Sequence, residues 1–322
     1  MEKKILKGAP SEPNKLKEGE AKGSHVSVLL QEAIEGLSLK AGAVALDATL
    51  GVGGHTKAIA EKIGAKGTLI GIDADSAAIT RAKATLSDFG FKGEIKFFNT
   101  NFRNLDLVLK DANVEKIDAV LFDLGLSSPQ IEISGRGFSF RQDEPLVMTF
   151  AEEPKPEEVT ALDVVNSWSE ETLTLIISSY GEEKFARRIA KAIIENREAR
   201  PITSTTELST IIEQAIPYGA RKKQKIHPAT RTFQGIRMAV NDEVGALNDA
   251  LPKAFEALNA SGRMAVISFH SIEDRIVKRY FQEKAKEGVA KIITKRPLIA
   301  TDEETKENPR ARSAKLRILE KI

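Results

Sequence analysis

The residues best placed for chemistry are Asp47, Gly51, Gly53, Gly54 and His55, in the segment Asp-Ala-Thr-Leu-Gly-Val-Gly-Gly-His, with Asp73 further on. An apolar run, Ala43 to Leu46, precedes the glycines, a helical pattern, Thr56 to Ile63, follows them, and Asp73 closes the next apolar run. A strand, a glycine turn, a helix start and then an acid about twenty residues on is how an open α/β sheet holds an adenosine-containing ligand. The glycines let the backbone approach the ligand, because a Cβ would block it or forbid the turn. Asp73 is placed to accept hydrogen bonds from two ribose hydroxyls.

Three nucleotide chemistries compete for this turn. A phosphate-cradling loop needs Gly, four residues, then Gly-Lys-Ser/Thr, and no register of Gly51 to Ala58 supplies it. A dinucleotide fold needs G-x-G-x-x-G, but counting from Gly51 puts Thr56 where the third glycine belongs, which would crowd helix against strand. A site for S-adenosylmethionine remains, with Asp47 and the Gly51 to Gly54 turn around the methionine portion and Asp73 on the ribose. It has no phosphate to neutralise, matching the lack of a turn lysine. A structural glycine turn would look the same in isolation.

A second motif adds weight. Leu121-Phe122-Asp123-Leu124-Gly125-Leu126-Ser127-Ser128-Pro129-Gln130 ends an apolar run with an acid and a polar loop. That is the carboxyl edge of a strand, where open α/β sheets bind ligands. The lesser alternative is that Asp123 is only a turn former or helix cap.

Branched apolar runs recur with helical stretches between them: Ala43 to Leu46, Thr68 to Ile72, Ile95 to Phe98 and Ala119 to Phe122. The alternation predicts a doubly wound, mostly parallel sheet. After Pro129 the strand pattern stops, and residues 134–228 read as a helical insertion. One helix is expected over Glu182 to Asn196, with Phe185, Ile189 and Ile193 on one face; another starts at Ser204, with Glu207 completing a capping box, and stops before Pro217. A single long helical pattern runs from Thr230 to Asn259. Ser261-Gly262 then turns the chain into a strand, Met264 to Phe269, and Lys291 to Thr294 and Leu316 to Leu319 complete the sheet. The expected organisation is a tail over 1–24, a nucleotide-binding domain over 25–133 and 229–322, and the insertion between.

With 41% hydrophobic and 29% charged residues, the 322-residue chain has the composition of a soluble globular protein, without an apolar run long enough for a bilayer. The absence of cysteine excludes disulfides, thiolate metal sites and cysteine nucleophiles. The first 24 residues lack the apolar core of a signal peptide, so a disordered tail and a cytoplasmic location are expected. A net charge of +2 means that a polyanion must be gripped by local patches. Two candidates are Arg221, Lys222, Lys223 and Lys225, and Arg310, Arg312, Lys315 and Arg317, although most basic runs are simply solvated. None of the four histidines has a metal-binding spacing, so methyl transfer is expected to need no metal. Oligomeric state is not legible, and a homodimer is left open.

Taken together, Asp47 to His55, Asn99 to Phe102, Asp123 to Gln130, Arg136 to Phe140, His227 to Gln234, Ser268 to Lys278 and Asn308 to Arg317 resemble the bacterial 16S ribosomal RNA cytosine-N4 methyltransferases. The resemblance runs from His25 to Ile322. It implies a Rossmann-like class I methyltransferase sheet interrupted by a helical substrate-recognition domain, acting on a decoding-site cytosine of 16S rRNA in the small ribosomal subunit. It further implies cofactor contacts at Gly53, Gly54, His55, Asp73, Phe102, Asp123 and Gln130. N4 gains positive charge as it attacks, so Asp123 and the loop of Ser127, Ser128 and Pro129 are the catalytic candidates. Phe138 or Phe140 is expected to stack on the target base. His270 is expected to face the cleft, as structural residue or proton acceptor, with Ser271 capping the helix behind it.

One departure stands out. Where the family reads Gly-Pro-Leu-Asp-Met-Arg-Met, this chain has Glu144-Pro145-Leu146-Val147-Met148-Thr149-Phe150, replacing an acid and an arginine by Val147 and Thr149. That departure motivates one rival reading, a ribosome-binding protein that keeps the pocket without turnover; the other, a methyltransferase for another nucleic acid, is left open by the glycine turn and Asp123 themselves.

Overall fold

The computed structural model describes residues 27–322, so the tail expected over 1–24 lies outside the described residues. One seven-stranded sheet contains β1 (Val44–Asp47), β2 (Thr68–Asp73), β3 (Glu94–Asn99), β4 (Ile117–Asp123), β5 (Leu258–Ser268), β6 (Ala290–Ile292) and β7 (Lys315–Lys321). The central β1, β2, β4 and the second half of β5 coincide with near-continuous apolar runs, as strands covered on both faces require, whereas β3 and β6 are partly exposed edge strands and β7 mixes apolar with charged residues. The order is β3-β2-β1-β4-β5-β7-β6; β1 to β5 pair in parallel, and β7 is antiparallel to β5 and β6. The order reverses between β1 and β4, which opens a crevice at their carboxyl ends.

The first half carries α1 (Leu30–Leu37), α2 (Gly54–Ile63), α3 (Ser76–Phe89), α4 (Leu105–Asp111) and the short α5 (Ser128–Glu132). Between α5 and β5 come α6 (Ala161–Ser167), α7 (Glu170–Ser179), α8 (Ala186–Ala199), α9 (Thr205–Ala215), α10 (Tyr218–Arg221), α11 (Thr230–Val240) and α12 (Glu243–Ala257). The last strands are separated by α13 (Ser271–Lys286) and α14 (Asp302–Glu307). Alternate strand residues feed opposite faces of the sheet. Ala45, Leu69 and Leu121 pack with α1 and α2, while Leu46, Ile70, Val120 and Phe122 pack with α4, α12 and α13. A further core gathers Phe138, Leu146 and Met148 with the apolar faces of α6 to α9, and α11 adds Phe233 and Ile236 to it.

Local chemistry moves several boundaries. The single pattern from Thr230 to Asn259 is two helices, broken where Asp242 takes φ +44°. The break leaves the Asn241 amide to bridge another segment: its Oδ1 accepts from Phe150 N and its Nδ2 donates to Met148 O, both at 2.7 Å. The turn expected at Ser261-Gly262 is an irregularity inside β5, with Ser261 at φ +63° and a register shift against β4. Helix α8 starts at Ala186, because Glu182 has φ +49° and its carboxylate accepts from Ser271 Oγ and Arg275. Ser204 caps α9, but the Glu207 carboxylate accepts from Thr203 N, one residue before the cap.

Candidate active site

The carboxyl ends of β1, β2 and β4 open into a cleft of about 1160 Å³, including solvent space at its mouth. Gly54, His55, Asp73, Phe102, Asp123, Ser127, Ser128 and Gln130 all line it. Gly53 and Pro129 are not among its lining residues. Gly53 instead sits at φ +85°, where a Cβ would lie 3.4 Å from Ala82 Cα and 3.2 Å from Thr85 Oγ1 of α3. That glycine is required by the turn and by helix packing. Asp47 does not line the cleft either. It is fully buried and braces the turn, its Oδ2 accepting from Thr56 Oγ1 at 2.7 Å and its Oδ1 from Thr49 N at 3.2 Å.

The glycine turn is pinned from both sides: Gly51 N donates to Asp73 Oδ2 at 3.0 Å, and Arg81 Nε donates to Gly51 O at 3.3 Å. Asp73 Oδ1 also accepts from Asp75 N at 2.8 Å. Burial pushes the Asp73 carboxyl up to about 6, against the pull of these two N–H groups. Burial likewise pushes Asp47 up to about 7, against the Thr56 hydrogen bond and the nearby His55. Phe102 lines the cleft while its ring meets Phe122 edge-on at 5.7 Å, so core packing fixes its position.

His55 and Asp123 form the centre of the site. His55 Nε2 lies 3.1 Å from the Val28 carbonyl, which can only accept, so Nε2 carries a proton. Nδ1 lies 3.4 Å from Asp123 Oδ2. Burial lowers the His55 pKa, but the hydrogen bond and charge of Asp123 and the charge of Asp47 outweigh it, leaving the ring above its usual value. The second oxygen, Asp123 Oδ1, is buried without a hydrogen-bond partner among the described residues, and Asp123 N donates to Thr49 Oγ1 at 2.6 Å. Such an orphan acceptor in a cleft invites a donor from a ligand.

The neighbouring loop is internally engaged. Gln130 Oε1 accepts from Ser127 N at 2.9 Å and Ser127 Oγ at 3.1 Å, and Ser128 Oγ accepts from Arg310. Arg310 also reaches Glu132 at 2.9 Å, while Lys315 and Arg317 both pair with Asp274. Arg310, Lys315 and Arg317 of the C-terminal basic cluster are thus engaged in ion pairs within the fold.

A second cavity, of about 980 Å³, shares Gly125, Leu126, Phe269 and Arg310 with the cleft and runs toward the helical core. Phe138 and Phe140 line it, but both are already stacked: Phe138 on Phe150 at 6.1 Å, and Phe140 on His227 at 4.3 Å. At the junction the fold assembles a group that sequence spacing did not reveal. Ligand atoms of Glu243, His270 and Glu273 lie within 4.8 Å of one another. A metal ion would fit that donor set, but Arg237 already binds Glu243 through Nε at 2.7 Å and Nη2 at 2.9 Å. Burial raises the Glu273 pKa, yet His270, the Phe269 N–H and Arg237 hold it below the usual carboxylate range. The guanidinium therefore supplies the positive charge these acids need.

His270, and not Ser271, caps α13: its Nδ1 accepts from Glu273 N at 3.4 Å, and the Ser271 hydroxyl is turned to Glu182. The segment with Val147 and Thr149 is held by another route. Buried Arg136 donates to Thr149 O at 3.2 Å, Phe150 O at 2.7 Å and Asp75 Oδ2 at 2.9 Å.

Residues 22–322 match the model of the MraW methylase family. The chain belongs to that family. As a class I methylase it uses S-adenosylmethionine, and its sheet, with an antiparallel β7 inserted between β5 and β6, is Rossmann-like. It is 45% identical over 316 residues to the ribosomal RNA small subunit methyltransferase H of Clostridioides difficile, covering 92% of this chain and 99% of the relative. It is 42% identical over 313 residues to the protein of the same name from Brevibacillus brevis, covering 92% and 98%. An rRNA methylase structure from Streptococcus thermophilus aligns at 13% identity and TM-score 0.44, over 93% of this chain and 99% of that one. No helix of the methylase, among the described residues, is long and apolar enough to cross a membrane.

Proposed function

We propose that this methylase transfers a methyl group from S-adenosylmethionine to the exocyclic N4 of a decoding-site cytosine in 16S rRNA of the small ribosomal subunit, in the cytoplasm. The observation that carries the reading is Asp123 Oδ1, buried without a partner at the tip of β4. A cytosine amine offers the N–H donors this acceptor lacks. The names of the curated relatives point to the same substrate class.

The cleft fits the cofactor. It has an acid at the end of β2 for a ribose diol, an aromatic ring at Phe102 for the adenine, and no lysine in the turn to favour a phosphate. Gly54, His55, Asp73, Phe102 and Gln130 would hold it, and Gly53 shapes the turn. When bound, the cofactor supplies a methyl group on a sulfonium centre, already a good electrophile.

The protein's task is then to position a weak nucleophile. The N4 lone pair is delocalised into the ring, so holding the amine in line contributes several kcal/mol, roughly, through orientation. Asp123 accepts from the amine as positive charge grows on N4, and is placed to receive the released proton. His55 steadies Asp123 through Nδ1. Ser127, Ser128 and Pro129 set the backbone beside it. The aromatic second cavity receives the base once it leaves its stack.

The reading is tested by incubating the protein with labelled S-adenosylmethionine and small subunits lacking the modification, then digesting the RNA. N4-methylcytidine is expected. Label in another nucleoside refutes the substrate, and cofactor binding without transfer makes the chain a binding protein. Asp123→Asn should lower kcat by about 10²- to 10³-fold while changing cofactor affinity much less.

A further inference from the structure

We propose that Tyr218 to Lys225, comprising α10 and the segment behind it, is a platform that grips single-stranded RNA beside the second cavity. The proposal rests on the RNA-methylation reading and names the surface that holds the flanking strand.

Tyr218 is 64% exposed, in a protein whose other aromatic rings lie mostly in its cores. The Arg221 guanidinium carbon lies 5.7 Å from its ring centre and Lys222 Nζ 4.8 Å. Lys222, Lys223 and Lys225 are exposed. Among the described residues no carboxylate forms an ion pair with Arg221, Lys222, Lys223 or Lys225. Arg221 Nε is also buried without a hydrogen-bond partner. The contrast with Lys315 and Arg317, which share an ion pair with Asp274, is direct. Solvation alone accounts for unpaired lysines but not for an exposed ring set among them. An exposed ring with cations packed over it, and no carboxylate among the described residues paired with them, supplies what a strand needs, an aromatic surface for a base and point charges for its phosphates.

Position decides which strand. From Lys225 the chain passes through Ile226 to His227, whose ring stacks on Phe140 at 4.3 Å, and Phe140 lines the second cavity. RNA lying on Tyr218 therefore runs toward the cavity proposed for the target base.

The probe is a fluorescein-labelled single-stranded RNA decanucleotide, followed by anisotropy between about 50 and 200 mM salt. The triple variant Lys222→Gln, Lys223→Gln, Lys225→Gln should weaken binding and reduce the log–log salt slope by about 2, at roughly 0.7 per lost phosphate contact. Tyr218→Ala should weaken binding roughly 5- to 100-fold and leave the slope unchanged, because stacking releases no counterions. Both variants should bind S-adenosylhomocysteine like the wild type, which verifies folding. An unchanged slope in the lysine variant, or unchanged affinity in Tyr218→Ala, overturns the platform. Methyl transfer to small subunits separates the two ideas. Wild-type transfer with unaffected variants removes only the platform, whereas no wild-type transfer to RNA removes the functional reading while the anisotropy still decides the platform.

Discussion

Asp47 gives the methylase a built-in loss of stability as pH rises, and Asp47→Asn should remove it. Burial places the carboxyl at about 7 in the folded protein, against its ordinary value of 3.8. Because the folded value is the higher one, the fold binds this proton more tightly than the unfolded chain does. Below about pH 4 both states are protonated and the cost is absent; above about pH 7 it is complete. Three units at 1.36 kcal/mol each amount to about 4 kcal/mol. Asn cannot ionise, still accepts from Thr49 N, and faces a Thr56 hydroxyl that can rotate to accept. Any fixed hydrogen-bonding penalty is the same at every pH and cancels in a difference. Urea unfolding of both proteins, followed by circular dichroism, supplies that difference. The unfolding free energy of the variant minus that of the wild type should rise by about 4 kcal/mol from about pH 4 to pH 8. His55, also raised, contributes stability at low pH that is lost as pH passes its folded value, but it is present in both proteins and largely drops out. Parallel pH curves would refute the assignment of a buried, costly anion at Asp47.

Asp73→Asn should weaken cofactor binding about 10- to 100-fold, the loss of a charge-assisted hydrogen bond, as measured by calorimetry. Asn is preferred to Ala because it keeps the side chain's size and one of the two acceptors that serve Gly51 N and Asp75 N, whereas Ala loses both. In the wild type, cofactor affinity should fall as pH drops through about 6, where the anion that accepts the ribose hydroxyls is lost; affinity flat from pH 5 to 8, roughly, would contradict the ribose role. Arg136→Met should cost about 3–5 kcal/mol by stranding buried Asp75, and should free the backbone at Phe150; a loss under about 1 kcal/mol in urea unfolding would show that Arg81, 3.8 Å from Asp75, suffices.

The centre of the sheet was legible from the sequence because β1, β2, β4 and β5 are covered on both faces and appear as near-continuous apolar runs, while β7 showed only as alternating apolar positions. The glycine turn, Asp73, Asp123 and the Ser127 to Gln130 loop were expected to share one cleft because open sheets bring strand carboxyl ends together, whereas His55 and Phe102 entered through the family resemblance; Gly54, His55, Asp73, Phe102, Asp123, Ser127, Ser128 and Gln130 line that cleft. Gly53 reads the same as Gly54 in a string of residues, and only the approach of α3 shows that packing and the turn fix it. Composition could not reveal that Lys315 and Arg317 pair with an acid while, among the described residues, Lys222 and Lys223 do not, since Asp274 lies 41 and 43 residues before them in the chain.

What the sequence alone determined is the order of strand, turn and helix, and the residue types at each strand tip, because backbone propensity and hydrophobic period act over a few residues. The tertiary structure decided which charges meet: His55 with Asp123, Arg136 with Asp75, and Arg237 with Glu243 beside His270 and Glu273. Those pairings join segments far apart in the chain or set by a helix break, and burial then fixes their protonation. Neither effect has a local signature.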